Sequence, residues 1–580
     1  MQHDLCRIDG RVGTVIARTV PYDIPGLEYA REIFVLDNDG RIGFVVFQQH
    51  VVPGTILLDQ VILQKKCILF RVDNKIFDVS YLLDQDTCFV AVVFFVEIGG
   101  NATLQVLCFA YIDDRSLLVK VLVAAWRFRY DGKDVFYMGE TEKLKDFLFD
   151  MKKCGWGTVS DVAKQDIIKF SDEYIHFLNR SKTEREATSF ITEVLDKNGF
   201  VNIKDKMILV PGDKVYYVNR AKSVYAAVLG SKPVEAGLNI IGSHIDSPRL
   251  DLKPNPLYED TGFAYFKTHY YGGVKKYQWT TIPLSIHGVI VKANGEKITI
   301  NIGEDENDPI FTITDLLPHL AQEQMEKKLK DGIAGEDLNL LIGSIPIGDE
   351  KITERIKLNV LKILNDKYGI TERDFVSSEL ELVPAFKARS LGFDRSMVAG
   401  YGQDDKVCAY TSLRALLDTV TPVKTAVCIF ADKEEIGSMG NTGMESHVFD
   451  TFISELLNKT NTNRPNLLDK VFCNSKMLSA DVDAGLDPIY ASVSEKNNAA
   501  YLGKGVGLNK YTGARGKSGA SDANAEFVAQ IRNIFESNNI MYQVSELGKV
   551  DTGGGGTIAY ILANKGVDVI DCGVPVLSMH

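Results

Sequence analysis

Residues 238–256 read LNIIGSHIDSPRLDLKPNP, an apolar run that ends on His244-Ile245-Asp246. Three further runs have the same form. Ala426 to Ala431 leads into Glu434-Glu435, Met477 to Ala480 into Asp481, and Val567 to Leu577 into His580 at the last position. Each is short enough for a strand, and a strand buried on both faces reads as a continuous apolar stretch rather than an alternating one. In an open α/β sheet the carboxyl ends of such strands share one edge, so acids and histidines placed there converge in a crevice. Asp404-Asp405 is the one pair outside this pattern; it precedes a helix expected to begin near Lys406.

The donor types narrow the chemistry. Two histidines and three or four carboxylates, with no cysteine among them, suit a divalent ion such as zinc, manganese or cobalt rather than a thiolate-bound structural zinc. A carboxylate shared between two ions would build a two-metal hydrolytic centre. Taken singly, each motif has a plainer reading. An HxD is commonly a surface turn, EE and DD pairs are commonly solvated charge, and Asp405 suits the first turn of a helix. Joint placement separates the readings, because Asp481 buried after KMLSA would be costly without a partner.

Six ordered runs, GSHIDSPRLDLKPNP, HYYGGVKKYQWTTIPL, GYGQDDKVCAYTSL, ADKEEIGSMGNTG, LSADVDAGLDP and DTGGGGTIA, resemble the aspartyl aminopeptidase and aminopeptidase I family of dinuclear zinc exopeptidases, from about Met138 to the end. The resemblance implies one metal held by His244, Asp404 and Asp481 and a second by Asp404, Glu435 and His580, with Asp404 bridging. It implies Glu434 as general base and Asp246 as the acid that orients the His244 imidazole. It also places the glycine-rich turn containing Gly554 and Gly555 near the bound amino acid, where backbone amides can approach a ligand. No Gly-Lys-Ser/Thr follows that turn, which argues against a phosphate loop. Lys510, Arg249, Lys275, Lys276, Arg515 and Lys517 are candidate cations for a substrate carboxylate. The family's tryptophan-histidine segment corresponds to Lys275-Lys276-Tyr277-Gln278-Trp279, with its histidine falling on Tyr277, so the resemblance does not carry a strict acidic preference to this chain.

The expected architecture is α/β: a mixed-sheet zinc-exopeptidase catalytic domain with an inserted β-rich dimerisation domain, preceded by a β-rich N-terminal extension. The boundaries are 1–137 for the extension, 138–250 and 396–580 for the two parts of the catalytic domain, and 251–395 for the insertion. The insertion accounts for the 160-residue interval between His244 and Asp404. Residues 1–137 hold only Glu28, Glu32 and Glu97 as glutamates and are dense in Val, Phe, Ile and Leu, which reads as short strands, either of an appended domain or of upstream sequence joined to the rest. Helices are expected over 140–156, over DVAKQDIIKFSDEYIHFLNR, over TEREATSFITEVLDKNGF with a Thr183/Glu186 cap and an end at Asn198-Gly199, and over TDLLPHLAQEQMEKKLK. Family members continue past the His580 equivalent, so this chain's last ligand is expected to fray.

A chain of 580 residues, 45% hydrophobic and 24% charged, supports more than one core. A net charge of −12 argues against a nucleic-acid partner. The nine scattered cysteines read as reduced thiols of a cytoplasmic protein. The longest apolar runs fall short of the roughly 20 residues of a membrane span. The functional expectation is a metal-dependent aminopeptidase releasing N-terminal residues, including acidic ones, from peptides, in a homo-oligomer that the resemblance makes dodecameric. The alternatives are an N-acyl amino acid amidohydrolase or deacylase, and a non-catalytic assembly subunit with an incomplete metal site.

Overall fold

In the computed structural model the described residues are the strand backbones within 4–127, residues 144, 145, 148 and 149, and residues 154–580 apart from 461–465 and 514. Two units divide the chain, 1–149 and 150–580. The first contributes ten strands in antiparallel sheets of four, three and three, beginning with Asp4–Ile8 and ending with Lys120–Arg127. Of the helical spacing read over 140–156, residues 140–143, 146, 147 and 150–153 lie outside the described residues and the end is a 3-10 turn, Gly155–Gly157; the side chains of Cys6, Cys67, Cys88 and Cys108 also lie outside them.

The second unit is built on a nine-stranded mixed sheet. Its centre is four mutually parallel strands, in the order Thr425–Ala431, Leu238–His244, Lys476–Ser479 and Asp568–Gly573. His244 pairs with Ala431, and Gly242 with Ser479, so the strands end at one level and one edge. Successive residues serve opposite faces, as the pleat requires. Val427 and Ile429 join one core with Tyr225, Ile240, Phe449, Phe452, Ile453 and Leu456, whereas Cys428 and Phe430 join the other with Phe177, Ile191, Leu195, Tyr410 and Leu413. Burial on both faces explains why these strands carry unbroken apolar runs. Each such side chain taken from water contributes roughly 1.5–3 kcal/mol before chain entropy is counted.

Helices Asp161–Arg180, Glu184–Lys197 and Gln403–Leu417 cover one face; Val448–Lys459 and Ala559–Ala563 lie on the other. Glu184–Lys197 starts as its sequence dictates: the Thr183 hydroxyl accepts from Glu186 N–H, and the Glu186 carboxylate accepts from the Thr183 N–H. Helical geometry in Gln403–Leu417 becomes regular only after Asp404 and Asp405, both of which have non-helical φ/ψ.

Residues 249–384 form a second, seven-stranded antiparallel sheet with its own core, including Leu250, Phe266, Trp279, Ile286, Leu340 and Leu382. Strands Phe263–Tyr271, Leu284–Val291 and Lys297–Ile302 match the alternating runs of the sequence. The helix expected over TDLLPHLAQEQMEKKLK does not form as one element. A 3-10 turn at Pro318–Leu320 and a five-residue helix Gln322–Glu326 replace it, neither with a side-chain cap. Pro318 opens the 3-10 turn, where its missing N–H is tolerated, and its ring keeps a helix from running into it out of 314–317.

Candidate metal centre

His244, Glu434, Glu435, Asp481 and His580 all arrive from the carboxyl ends of the four central strands, and Asp404 from the start of Gln403–Leu417. They meet. The His244 Nε2 lies 3.0 Å from Asp404 Oδ1, 3.9 Å from Asp481 Oδ1 and 3.9 Å from Glu434 Oε2. On the other side, His580 Nδ1 lies 3.4 Å from Glu435 Oε1 and 3.8 Å from Asp404 Oδ2. The final residues are tied to the cluster by the Asp404 N–H, which donates to the Met579 carbonyl at 3.2 Å.

Asp246 organises the back of the site. Its Oδ1 lies 3.2 Å from His244 Nδ1 and accepts from the Glu434 N–H at 3.2 Å; its Oδ2 accepts from the Tyr271 hydroxyl at 2.8 Å and from the Glu435 N–H at 3.2 Å. Burial alone would raise the Asp246 carboxyl, yet His244, Tyr271 and Arg249 bring it down to about 2. Burial, and next the charge of Asp246, push the Tyr271 hydroxyl far up, so it stays a donor.

The acids facing His244 and His580 behave in the opposite way. Burial, then Asp404 and Asp405, push Asp481 well above the carboxylate range. Burial also lifts Glu434 to about 7 and Glu435 to about 9, with His244 opposing and Asp404 and Asp246 reinforcing the rise. Burial would lower the His244 imidazole, but its contacts with Asp246 and Asp404 win and raise it. Burial lowers His580.

This cluster carries more acceptor oxygens than the chain has donors for. Glu435 Oε1 is buried and accepts no hydrogen bond. Ligand atoms of His244, Glu434 and Asp481, of His244, Asp404 and Glu435, and of Asp404, Asp405 and Asp481 each fall within 4.8 Å of one another. Two donors on a tetrahedral zinc with bonds of about 2.1 Å stand about 3.4 Å apart. The separations of 3.0–3.9 Å bracket that value. The residues present therefore fit a divalent cation.

A family model described as aminopeptidase I zinc metalloprotease (M18) matches residues 177–580. The chain belongs to that family. A probable M18 family aminopeptidase 1 of Clostridium acetobutylicum is 52% identical over 432 residues, 74% of this chain and 93% of the relative. The crystal structure of an M18 family aminopeptidase from Thermotoga maritima superposes with a TM-score of 0.72 at 48% identity, covering 74% of this chain and 94% of that one. The fold is shared more distantly with a yeast mApe1 dodecamer, 24% identical with a TM-score of 0.57 over 70% of this chain and 90% of that one. Family membership makes the chain a zinc metallo-aminopeptidase, and it does not favour the amidohydrolase or the non-catalytic subunit weighed from the sequence.

The remaining sequence candidates stand apart from the cluster. Among the described residues no hydrogen bond or ion pair links Lys510, Tyr277, Gly554 or Gly555 to it. Lys510 Nζ faces Asp522 at 3.8 Å, Tyr277 lies part-exposed in the turn Lys276–Gln278, and Gly554 and Gly555 sit in the loop before Ala559–Ala563. Arg249 is not an available cation. It is buried and committed to Glu184, Asp251 and Glu381 at 3.5, 2.9 and 3.3 Å. Tyr271 was not legible as a site residue, since only the fold brings its strand to Asp246.

Proposed function

We propose that the chain releases N-terminal residues from peptides at a two-ion centre in which His244, Asp404 and Asp481 hold one zinc and Asp404, Glu435 and His580 hold the second, manganese or cobalt being the alternatives. The observation that carries this reading is the aspartate between two imidazoles: Asp404 turns Oδ1 to His244 and Oδ2 to His580. Zinc bound there would supply Lewis acidity and bring the pKa of water toward about 7. Glu434 accepts the proton of the attacking water and returns it to the leaving amine, from a position 3.9 Å from the His244 Nε2. Asp246 holds the His244 Nδ1 side, so that Nε2 points at the cluster. Lys510, Gly554, Gly555 and Tyr277 belong to the substrate side, and residues with acidic side chains are among the substrates.

In the same reading, 138–250 and 396–580 are the two parts of the catalytic domain, 251–395 is an inserted dimerisation domain and 1–137 an N-terminal extension. The chain works as a cytoplasmic homo-oligomer; the yeast dodecamer supports that assembly by likeness of fold alone. The test is metal content and turnover on the full chain. Two zinc ions per chain are expected, and Glu434→Gln is expected to retain them while losing kcat by about 10²–10⁴-fold on aminoacyl arylamides. One ion or none per chain, or near-normal turnover of the variant, would overturn the assignment.

A further inference from the structure

Tyr271 ends strand Phe263–Tyr271 of the second sheet, yet its hydroxyl donates to Asp246 behind the metal cluster at 2.8 Å. Its ring is held in place from the far side. The Arg249 guanidinium stacks 3.8 Å from the ring centroid and is itself fixed by Glu184, Asp251 and Glu381. Glu184 is fully buried and also meets Lys222 at 3.3 Å, so the helix Glu184–Lys197 of the first sheet's layer takes part in the bracing. Immediately after Tyr271, Gly272 has φ +74°, and a Cβ there would stand 3.2 Å from Glu435 Cβ. The second sheet is thus in contact with the turn that carries both active-site glutamates.

The Asp246 carboxylate has two oxygens and four close partners: the N–H groups of Glu434 and Glu435, the Tyr271 hydroxyl, and His244 Nδ1, which lies 3.2 Å from Oδ1 and 3.1 Å from the Asp246 main-chain carbonyl. Three of the four belong to residues of the cluster. Only the tyrosine comes from a different sheet, and only it can set the carboxylate's rotation independently of the groups the carboxylate positions. From this geometry we infer that Tyr271 is a positioning residue of the metal centre, fixing Asp246 and, through it, both the His244 imidazole and the Glu434-Glu435 turn. The inference rests on the ligand assignment proposed above.

Tyr271→Phe removes the hydroxyl and keeps the ring over Arg249. The full chain and this variant are stripped of metal and titrated with zinc against a chromophoric chelator, with kcat, KM and the unfolding temperature of the metal-free protein measured on the same samples. The expected result is a zinc affinity about tenfold weaker, the scale of losing a group that orients a ligand, together with a lowered kcat, a KM close to that of the unaltered chain and an unchanged metal-free unfolding temperature. Unaltered zinc affinity would overturn the inference. So would a weakened affinity accompanied by a matching fall in metal-free unfolding temperature, since that is the mark of a merely structural role. His244→Ala, run alongside, tests the ligand assignment separately: if it binds zinc as the unaltered chain does, that assignment fails, an outcome that Tyr271→Phe cannot produce.

Discussion

Without metal, the second unit should lose stability as pH rises from 5 to 8, opposite to the usual behaviour of proteins whose carboxylates are paired. Glu434 gives the magnitude. Its carboxyl moves from 4.5 to about 7 on folding, with burial the largest cause, and its side chain retains 18% exposure. A folded-state value above the unfolded one means that the native protein binds more protons than the unfolded chain throughout the window between them. Stability therefore falls with pH across that window. A shift of about 2.5 units at 1.36 kcal/mol each amounts to about 3 kcal/mol lost by pH 8. Glu435, lifted to about 9, and Asp432, lifted to about 7 by burial and Glu184, act in the same sense. His580, lowered by burial, acts against them. Chemical denaturation of the chelator-treated chain at pH 5 and pH 8 measures the sum, and the same pair of curves for Glu434→Gln isolates one contribution, because glutamine is neutral at both. The variant's loss between the two pH values should be smaller by about 2 kcal/mol, because pH 5 already lies above the unfolded value. A metal-free protein whose stability is flat or rises over this range would refute the reasoning, as would a variant with the unaltered chain's slope.

Two further substitutions probe the supports of the site. Gly272→Ala places a Cβ 3.2 Å from Glu435 Cβ and 3.3 Å from Pro248 Cγ at φ +74°; a left-handed cost of about 1–2 kcal/mol and a lower kcat/KM are expected, and unaltered kinetics would show that Glu435 tolerates displacement. Thr183→Ala deletes one half of the capping box at the start of Glu184–Lys197 and should cost about 1 kcal/mol in denaturation with turnover retained.

The parallel centre of the first sheet was legible because its strands are buried on both faces and end on polar residues. Apolar runs closing at His244, before Glu434-Glu435 and before Asp481 can be located without knowing their order in the sheet. Lys406 as the point where a helix begins was also legible, and the backbone agrees, with Asp404 and Asp405 outside helical geometry. Contacts made across the fold were not legible. Arg249 looks like any basic residue near a turn until Glu184, 65 positions earlier, and Glu381, 132 positions later, close around it. Tyr271 lies in an alternating strand whose sequence reads as ordinary sheet. The segment 314–330 misled for a local reason: its charged, helix-favouring composition outweighed Pro318 in the reading, whereas the backbone obeys the proline.

The acids of the site divide into those the chain satisfies by itself and those it does not. Asp246 is completely buried and still ionises at about 2, because His244, Tyr271 and Arg249 together outweigh the cost of burial. Asp481, Glu434 and Glu435 are half-buried a few ångströms away and are pushed the other way, with Glu435 Oε1 accepting no hydrogen bond. Protonation could neutralise them, but a protonated Glu434 cannot accept a proton from water, so a fold stabilised in that manner would be inert. A divalent cation removes the same repulsion while leaving the carboxylates ionised, since charge is compensated without a proton being bound. In the proposed assignment, the arrangement that is costly for the metal-free chain is for this reason the one that would make Glu434 a base once metal is bound, so that stability and catalysis would depend on the same ion.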